Sequence, residues 1–148
     1  MGPFSRVHHL CLVVADIARA VRFYESIGVG PWQDYPPLEQ YTDLDVPDRQ
    51  GFLDLTYKYA DTDSVQLQLV QPGAGDSPQK RFLESKGEGV FHVGFSVPDV
   101  DEGAARAAGL GLDVLMQGRR PDGSGFTYFD TAPQAGVVLE IRSSAKEP

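Results

Sequence analysis

The chain carries one motif twice, and that duplication restricts its fold more than any other feature. His9-Leu-Cys-Leu-Val-Val-Ala-Asp16-Ile17 is echoed by His92-Val-Gly-Phe-Ser-Val-Pro-Asp99-Val100, and the histidine pair and the aspartate pair keep the same spacing. Each copy reads as a strand followed by a helix. Asp16 and Asp99 stand where a helix N-cap is wanted, and Asp99 with Glu102 has the form of a capping box. In the first helix Ile17, Ala20, Val21 and Tyr24 recur at helical spacing and Gly28 is the expected terminator. In the second, Val100, Ala104, Ala107 and Ala108 do so before Gly109.

Strand-like stretches follow each helix: Gly51 to Tyr59 and Ser64 to Val70 in the first half, then Asp113 to Gln117, Phe126 to Phe129 and Val137 to Arg142 in the second. The pattern is βαβββ twice, an α+β fold of two tandem modules in a single domain. Module 1 is expected over about residues 5–71 and module 2 over about 88–144. A linker and short helix fill about 72–87, with Gln71 to Ser77 rich in Gly, Pro and Ser, and Ser77-Pro78 opening a helix to about Lys86. Pro36 to Arg49 and Arg119 to Gly125 are turn-rich and read as loops over a cleft.

A length of 148 residues suits two half-domains that share a core. With 41% hydrophobic and 23% charged residues the composition is globular, and no apolar stretch approaches the roughly 20 residues that span a bilayer. The N-terminus does not read as a secretory signal, so a cytoplasmic protein without membrane contact is expected. A formal net charge of −8 counts against nucleic-acid binding, which needs clustered cations, and favours a small-molecule role. Lys80-Arg81 and Arg119-Arg120 are local basic spots that could meet an anionic group. Cys11, the one cysteine, reads as a buried structural thiol.

Side chains alternate along a strand, so parity decides which residues share a face. Leu10, Leu12 and Val14 oppose His9, Cys11 and Val13; Val93, Phe95 and Val97 oppose His92, Gly94 and Ser96. Val65, Leu67 and Leu69 oppose Gln66, Gln68 and Val70, and Val137, Leu139 and Ile141 oppose Val138, Glu140 and Arg142. Each strand therefore has an oily side for helix packing and a side with a potential ligand. Gln68 and Glu140 occupy matching places, each inside an aliphatic frame. Two imidazoles, one carboxylate and one amide oxygen form a mixed N/O set suited to Co, Mn, Ni or Zn. Any one of these residues alone is ordinary strand polarity. The inference that His9, Gln68, His92 and Glu140 are metal ligands rests on their symmetry. His8, by parity, points the other way, with Leu10.

The paired histidine strands, Phe23-Tyr24-Glu25 at a helix end and Val137-Val-Leu-Glu140-Ile resemble the vicinal oxygen chelate superfamily, which includes glyoxalase I, bleomycin-resistance proteins and extradiol dioxygenases. That resemblance implies two modules forming a U-shaped metal cleft, often in a homodimer. Gly28-Val-Gly30-Pro-Trp32, Gln50-Gly51, Asp76-Ser-Pro78 and Phe82-Leu-Glu84-Ser-Lys86-Gly-Glu-Gly89 are most similar to the methylmalonyl-CoA epimerase branch. Carried over by position, the resemblance makes His9, Gln68, His92 and Glu140 the ligands of a divalent ion. It also points to a catalytic carboxylate just after Gln50-Gly51, which here is Asp54, and parity within the expected strand turns Asp54 to the cleft.

The implied activity is a metal-dependent isomerase or epimerase that removes a proton beside a chelated carbonyl, with Asp54 and Glu140 as the catalytic pair and an acyl-CoA as the expected substrate class. Two rival readings stand beside it: sequestration of an antibiotic or metabolite, as in bleomycin-resistance proteins, and a glyoxalase-like lyase. Asp48 is the alternative base.

Overall fold

Among residues 2–146, the part of the chain that the computed structural model describes, alternating sequence builds nine strands and the capped segments build five helices. In order they are β1 (Val7–Val13), α1 (Ile17–Ser26), β2 (Gln33–Asp34), β3 (Asp43–Asp45), α2 (Arg49–Leu53), β4 (Thr56–Asp61), β5 (Gln66–Gln71), α3 (Pro78–Lys86), β6 (Gly89–Ser96), α4 (Val100–Gly109), β7 (Val114–Arg119), β8 (Gly125–Phe129), α5 (Ala132–Ala135) and β9 (Val138–Arg142). The fold is mixed α+β.

The chain folds as two units. One comprises His9–Pro37 and Pro47–Phe91, with strands in the order β2-β4-β5-β1; β1 and β5 run parallel and the other neighbours antiparallel. Helix α1 covers one face of this sheet. Val14, Ile17 and Leu69 are buried there, and Leu12, Ala20, Val21, Tyr24 and Trp32 pack against them. The Asp16 carboxylate starts the helix by accepting from the Arg19 amide at 3.1 Å, and Gly28, at a φ of 90°, follows its end.

The second unit takes residues 2–8, Leu38–Val46 and 92–146. Its strands run β6-β9-β8-β7-β3, with β6 and β9 parallel and the rest antiparallel. Helix α4 covers the same face here that α1 covers in the first unit: Val100, Ala107, Phe129 and Ile141 are buried with Phe95, Val97, Ala104 and Leu112 around them. Completely buried side chains such as Phe129 and Ile141 each contribute about 1.5–3 kcal/mol. Asp99 Oδ1 accepts from the amides of Asp101 and Glu102 at 3.0 and 3.1 Å, as the cap residues anticipate. Gly109 does not lie beyond this helix as its terminator. It is the last helical residue, and the left-handed turn falls on Gly111, at a φ of 87°.

Two expected segments fold differently. Gly51 to Tyr59 is not one strand: Asp48 accepts from the Gly51 amide at 3.0 Å and caps helix α2, and the strand begins only at Thr56. Gly51 permits this because it lies against the Asp76 backbone, where a Cβ would stand 1.8 Å from the Asp76 carbonyl oxygen. Pro36 to Arg49 is not a free loop either. It forms a 3-10 turn at Leu38–Gln40 and strand β3, which pairs with β7, while Leu38 and Tyr41 are buried.

The tight turn from Arg120 to Gly125 ties down the C-terminal stretch. Ser124 donates from its hydroxyl and its amide to Asp122, and the Lys146 amide donates to the other carboxylate oxygen at 2.7 Å. The Ser124 hydroxyl, above all, and the two amides lower the Asp122 pKa to about 2. Since the folded value is depressed below the unfolded one of about 3.9, the contribution is complete above that value and disappears as pH falls toward 2. Asp122→Asn is therefore expected to be less stable than the parent chain at pH 7, with the difference vanishing near pH 2 in urea titrations. A difference that persists at pH 2 would contradict this.

Candidate metal centre

The polar faces of the two sheets carry matching pairs. In the first unit the parallel register sets His9 opposite Gln66 and Cys11 opposite Gln68, so Gln68 lies two residues beyond the partner of His9. In the second, His92 is opposite Val138 and Gly94 opposite Glu140, and Glu140 lies two residues beyond the partner of His92. The offset is identical. Each pair therefore springs from the equivalent place on its own unit's parallel ladder, on the face turned away from its helix. All four side chains are buried, His9 at 2%, Gln68 at 5%, His92 at 0% and Glu140 at 5% exposure.

Within the second unit His92 Nε2 lies 3.7 Å from Glu140 Oε2, and the His92 ring rests against Tyr128 with centroids 4.7 Å apart. Tyr128 is directly opposite Glu140 across the antiparallel β8–β9 pair, which places it on the same face. Within the first unit Gln68 Nε2 donates to Gln66 Oε1 at 2.8 Å, an orientation in which the carbonyl oxygen of Gln68 is the atom that could act as a ligand. Among the described residues, His9, His92 and Glu140 are the group of histidine, cysteine and acidic side chains that could hold a metal ion. A buried carboxylate beside the His92 imidazole suits a divalent cation, because burial is costly for an anion without a positive partner.

Asp54 is not on a strand face. Strand β4 begins only at Thr56, and its register sets Tyr59 opposite Gln68, so the Gln68 face carries Tyr57, Tyr59 and Asp61 and the expected cleft orientation of Asp54 does not follow from parity. It is the C-cap of α2, exposed, with Oδ1 accepting from Gln50 Nε2 at 2.8 Å. Asp48, the alternative base, is used as the α2 cap. His8 is half-buried and Cys11 completely buried.

The basic spots are engaged within the fold. Arg81 forms a two-pronged pair with Asp76, which raises the Arg81 pKa and lowers that of Asp76. Arg119 bonds Asp101 at 2.9 Å and Thr127 at 2.9 Å. Arg120 bonds Gln40, Tyr41 and Ser124 and lies over the Tyr41 ring at 4.8 Å, pinning the Leu38–Val46 segment to its unit. Arg142 differs. It shares a face with Glu140, two residues further along β9, and donates to the Ser144 hydroxyl at 3.0 Å. Sequence reading gave no role to Arg142, Tyr128, Tyr59 or Asp61. The alternation in Thr-Tyr-Lys-Tyr-Ala-Asp already placed Tyr57, Tyr59 and Asp61 on one face, and Tyr59 proves to lie opposite Gln68.

The family model described as the Glyoxalase/Bleomycin resistance protein/Dioxygenase superfamily matches residues 8–129. The chain belongs to that superfamily. A relative, an uncharacterized Bacillus subtilis (strain 168) protein called YqjC, is 29% identical over 140 residues, covering 93% of this chain and 91% of its own length. Among solved structures, a variant of Streptomyces coelicolor methylmalonyl-CoA epimerase in complex with 2-nitronate-propionyl-CoA superposes with a TM-score of 0.74 at 27% identity, over 97% of this chain and 99% of that one. The methylmalonyl-CoA epimerase from Mycobacterium tuberculosis shares the fold, with a TM-score of 0.75 at 18% identity over 99% of this chain and 92% of that one. Among the described residues of this superfamily member, no helix is long and apolar enough to cross a membrane.

Proposed function

We propose that the protein is a metal-dependent isomerase of the epimerase type, acting on the acidic carbon beside the carbonyl of an anionic thioester such as methylmalonyl-CoA. The observation that carries this reading is the pair of buried half-sites, His9 with Gln68 and His92 with Glu140, set at one register offset in both units. A Co, Mn, Ni or Zn ion held by these four residues would polarise the substrate oxygens as a Lewis acid and lower the acidity barrier at the neighbouring carbon. The donor set suits such an ion, and the full-length likeness to methylmalonyl-CoA epimerases supports the substrate class.

The chain's own groups then have distinct tasks. Asp54 is the proposed proton carrier: Gln50 occupies its Oδ1, which fixes the carboxylate and leaves Oδ2 to accept a proton. Glu140 is the second carboxylate of the pair, buried beside His92 and opposite Tyr128 on the face turned away from α4. Arg142, whose described partner is a neutral hydroxyl, is the cation on the Glu140 face suited to a substrate carboxylate.

Methylmalonyl-CoA incubated with Co-loaded protein in deuterium oxide is expected to gain deuterium at its acidic carbon, followed by proton NMR. Asp54→Asn should keep the cation and slow this exchange by roughly 10²-fold or more. No exchange with the cation bound would withdraw the substrate class and favour a sequestering protein. Full exchange in Asp54→Asn would transfer the proton role away from Asp54.

A further inference from the structure

Gln68 is a ligand only if its carbonyl oxygen, and not its amide nitrogen, is presented. An isolated amide side chain has no means of enforcing that choice, since its two ends are nearly the same shape. Here the two neighbouring side chains supply one. Asp61 is directly opposite Gln66 across the antiparallel β4–β5 pair, and Gln66 Nε2 donates to Asp61 Oδ1 at 3.1 Å. Gln66 Oε1 in turn accepts from Gln68 Nε2 at 2.8 Å.

The polarity of this chain of bonds is set at its outer end. An ionised carboxylate only accepts, so Asp61 requires the nitrogen of Gln66; the oxygen of Gln66 then faces Gln68 and requires its nitrogen. What remains is Gln68 Oε1. We propose that Asp61 and Gln66 are positioning residues for the metal centre, orienting the Gln68 amide so that its oxygen is turned to the cation. The proposal rests on the metal reading given above. It assigns work to two polar residues on the outer part of the sheet that would otherwise count as solvated strand surface, Asp61 being exposed and Gln66 half-buried. All three side chains stand on one face by register, and Gln66 also faces His9 across the parallel β1–β5 pair, so the relay runs beside both ligands of its unit.

Asp61→Asn tests the relay with nearly no change of shape. Asparagine offers an NH2 group as readily as an oxygen; when it presents NH2, Gln66 turns over, and Gln68 follows with its own NH2 toward the cation. Loss of an outer partner of a metal ligand typically weakens affinity by roughly 10–100-fold, and a fall of about tenfold or more in Mn2+ affinity is expected by calorimetry. The Asp61→Asn, Gln66→Glu double variant should recover affinity, because a carboxylate at 66 again only accepts from Gln68. A second readout needs no metal. In the cation-free protein, the Gln68 side-chain amide protons should exchange slowly with solvent and lose that protection in Asp61→Asn.

The outcomes separate the relay from the metal reading. Wild-type Mn2+ affinity and unchanged Gln68 amide protection in Asp61→Asn, with Gln68→Ala still impaired, would overturn the relay and leave the metal centre standing. A parent chain that takes up no Mn2+ would overturn the metal reading and the relay with it.

Discussion

His92→Ala is expected to lose cation binding and turnover together. The ring is 0% exposed, sits 3.7 Å from a Glu140 oxygen and packs on Tyr128. Its removal takes away one donor of the proposed four-member set, and the loss of affinity should exceed the roughly 10–100-fold associated with an outer partner. It also leaves a cavity beside the buried Glu140, and a large-to-small change of this kind in a core is destabilising by about 2–5 kcal/mol. His92→Gln separates these effects, since an amide can refill much of the volume and offer an N–H group on the Glu140 side. Calorimetric titration with Co2+, run beside thermal melts, should show His92→Gln regaining stability but little affinity. Retention of parental Co2+ affinity by His92→Ala would remove His92 from the ligand set.

Gly51→Ala should be among the most damaging single substitutions. The added Cβ would meet the Asp76 carbonyl oxygen at 1.8 Å and the Asp76 carbonyl carbon at 2.7 Å, both backbone atoms with no side-chain freedom to retreat. Forced overpacking costs about 1–3 kcal/mol and more where the backbone must move. A loss of about 3 kcal/mol is expected, a large share of the roughly 5–15 kcal/mol that a domain commands. Gly109→Ala is the counterpart: nothing lies within 4 Å of its Cβ, and it is helical, so a gain of about 0.5–1 kcal/mol is expected. Urea titrations of both variants measure the contrast. Equal stability of Gly51→Ala and the parent would mean that the α2 packing against Asp76 is wrong.

What the sequence revealed and what it hid have physical reasons. The histidine strands, their aspartate-capped helices and the alternation around Gln68 and Glu140 were legible because each depends on local periodicity, and the observed faces follow parity. Helix α2 was not. A five-residue helix has little periodicity to detect, and its decisive feature is the approach of Gly51 to a loop far along the chain. The Leu38–Val46 segment was hidden for a related reason: its turn-rich composition describes the chain, whereas its order comes from Arg120 reaching Gln40 and Tyr41. Arg119 and Arg120 read as basic spots open to an anionic group because sequence shows charge and not who neutralises it. The α4 terminator moved from Gly109 to Gly111 because the first is tolerated within the last turn while the second adopts the positive φ.

The claim that two register-matched half-sites serve one divalent ion is tested most directly by counting bound metal. Equilibrium dialysis of the purified protein against Co2+, followed by elemental analysis, should give one ion per chain. His9→Ala, Gln68→Ala, His92→Ala and Glu140→Ala should each weaken it, because the ion draws on both half-sites. An ion whose affinity survives the loss of both His9 and Glu140, or a chain that binds none, would contradict the account.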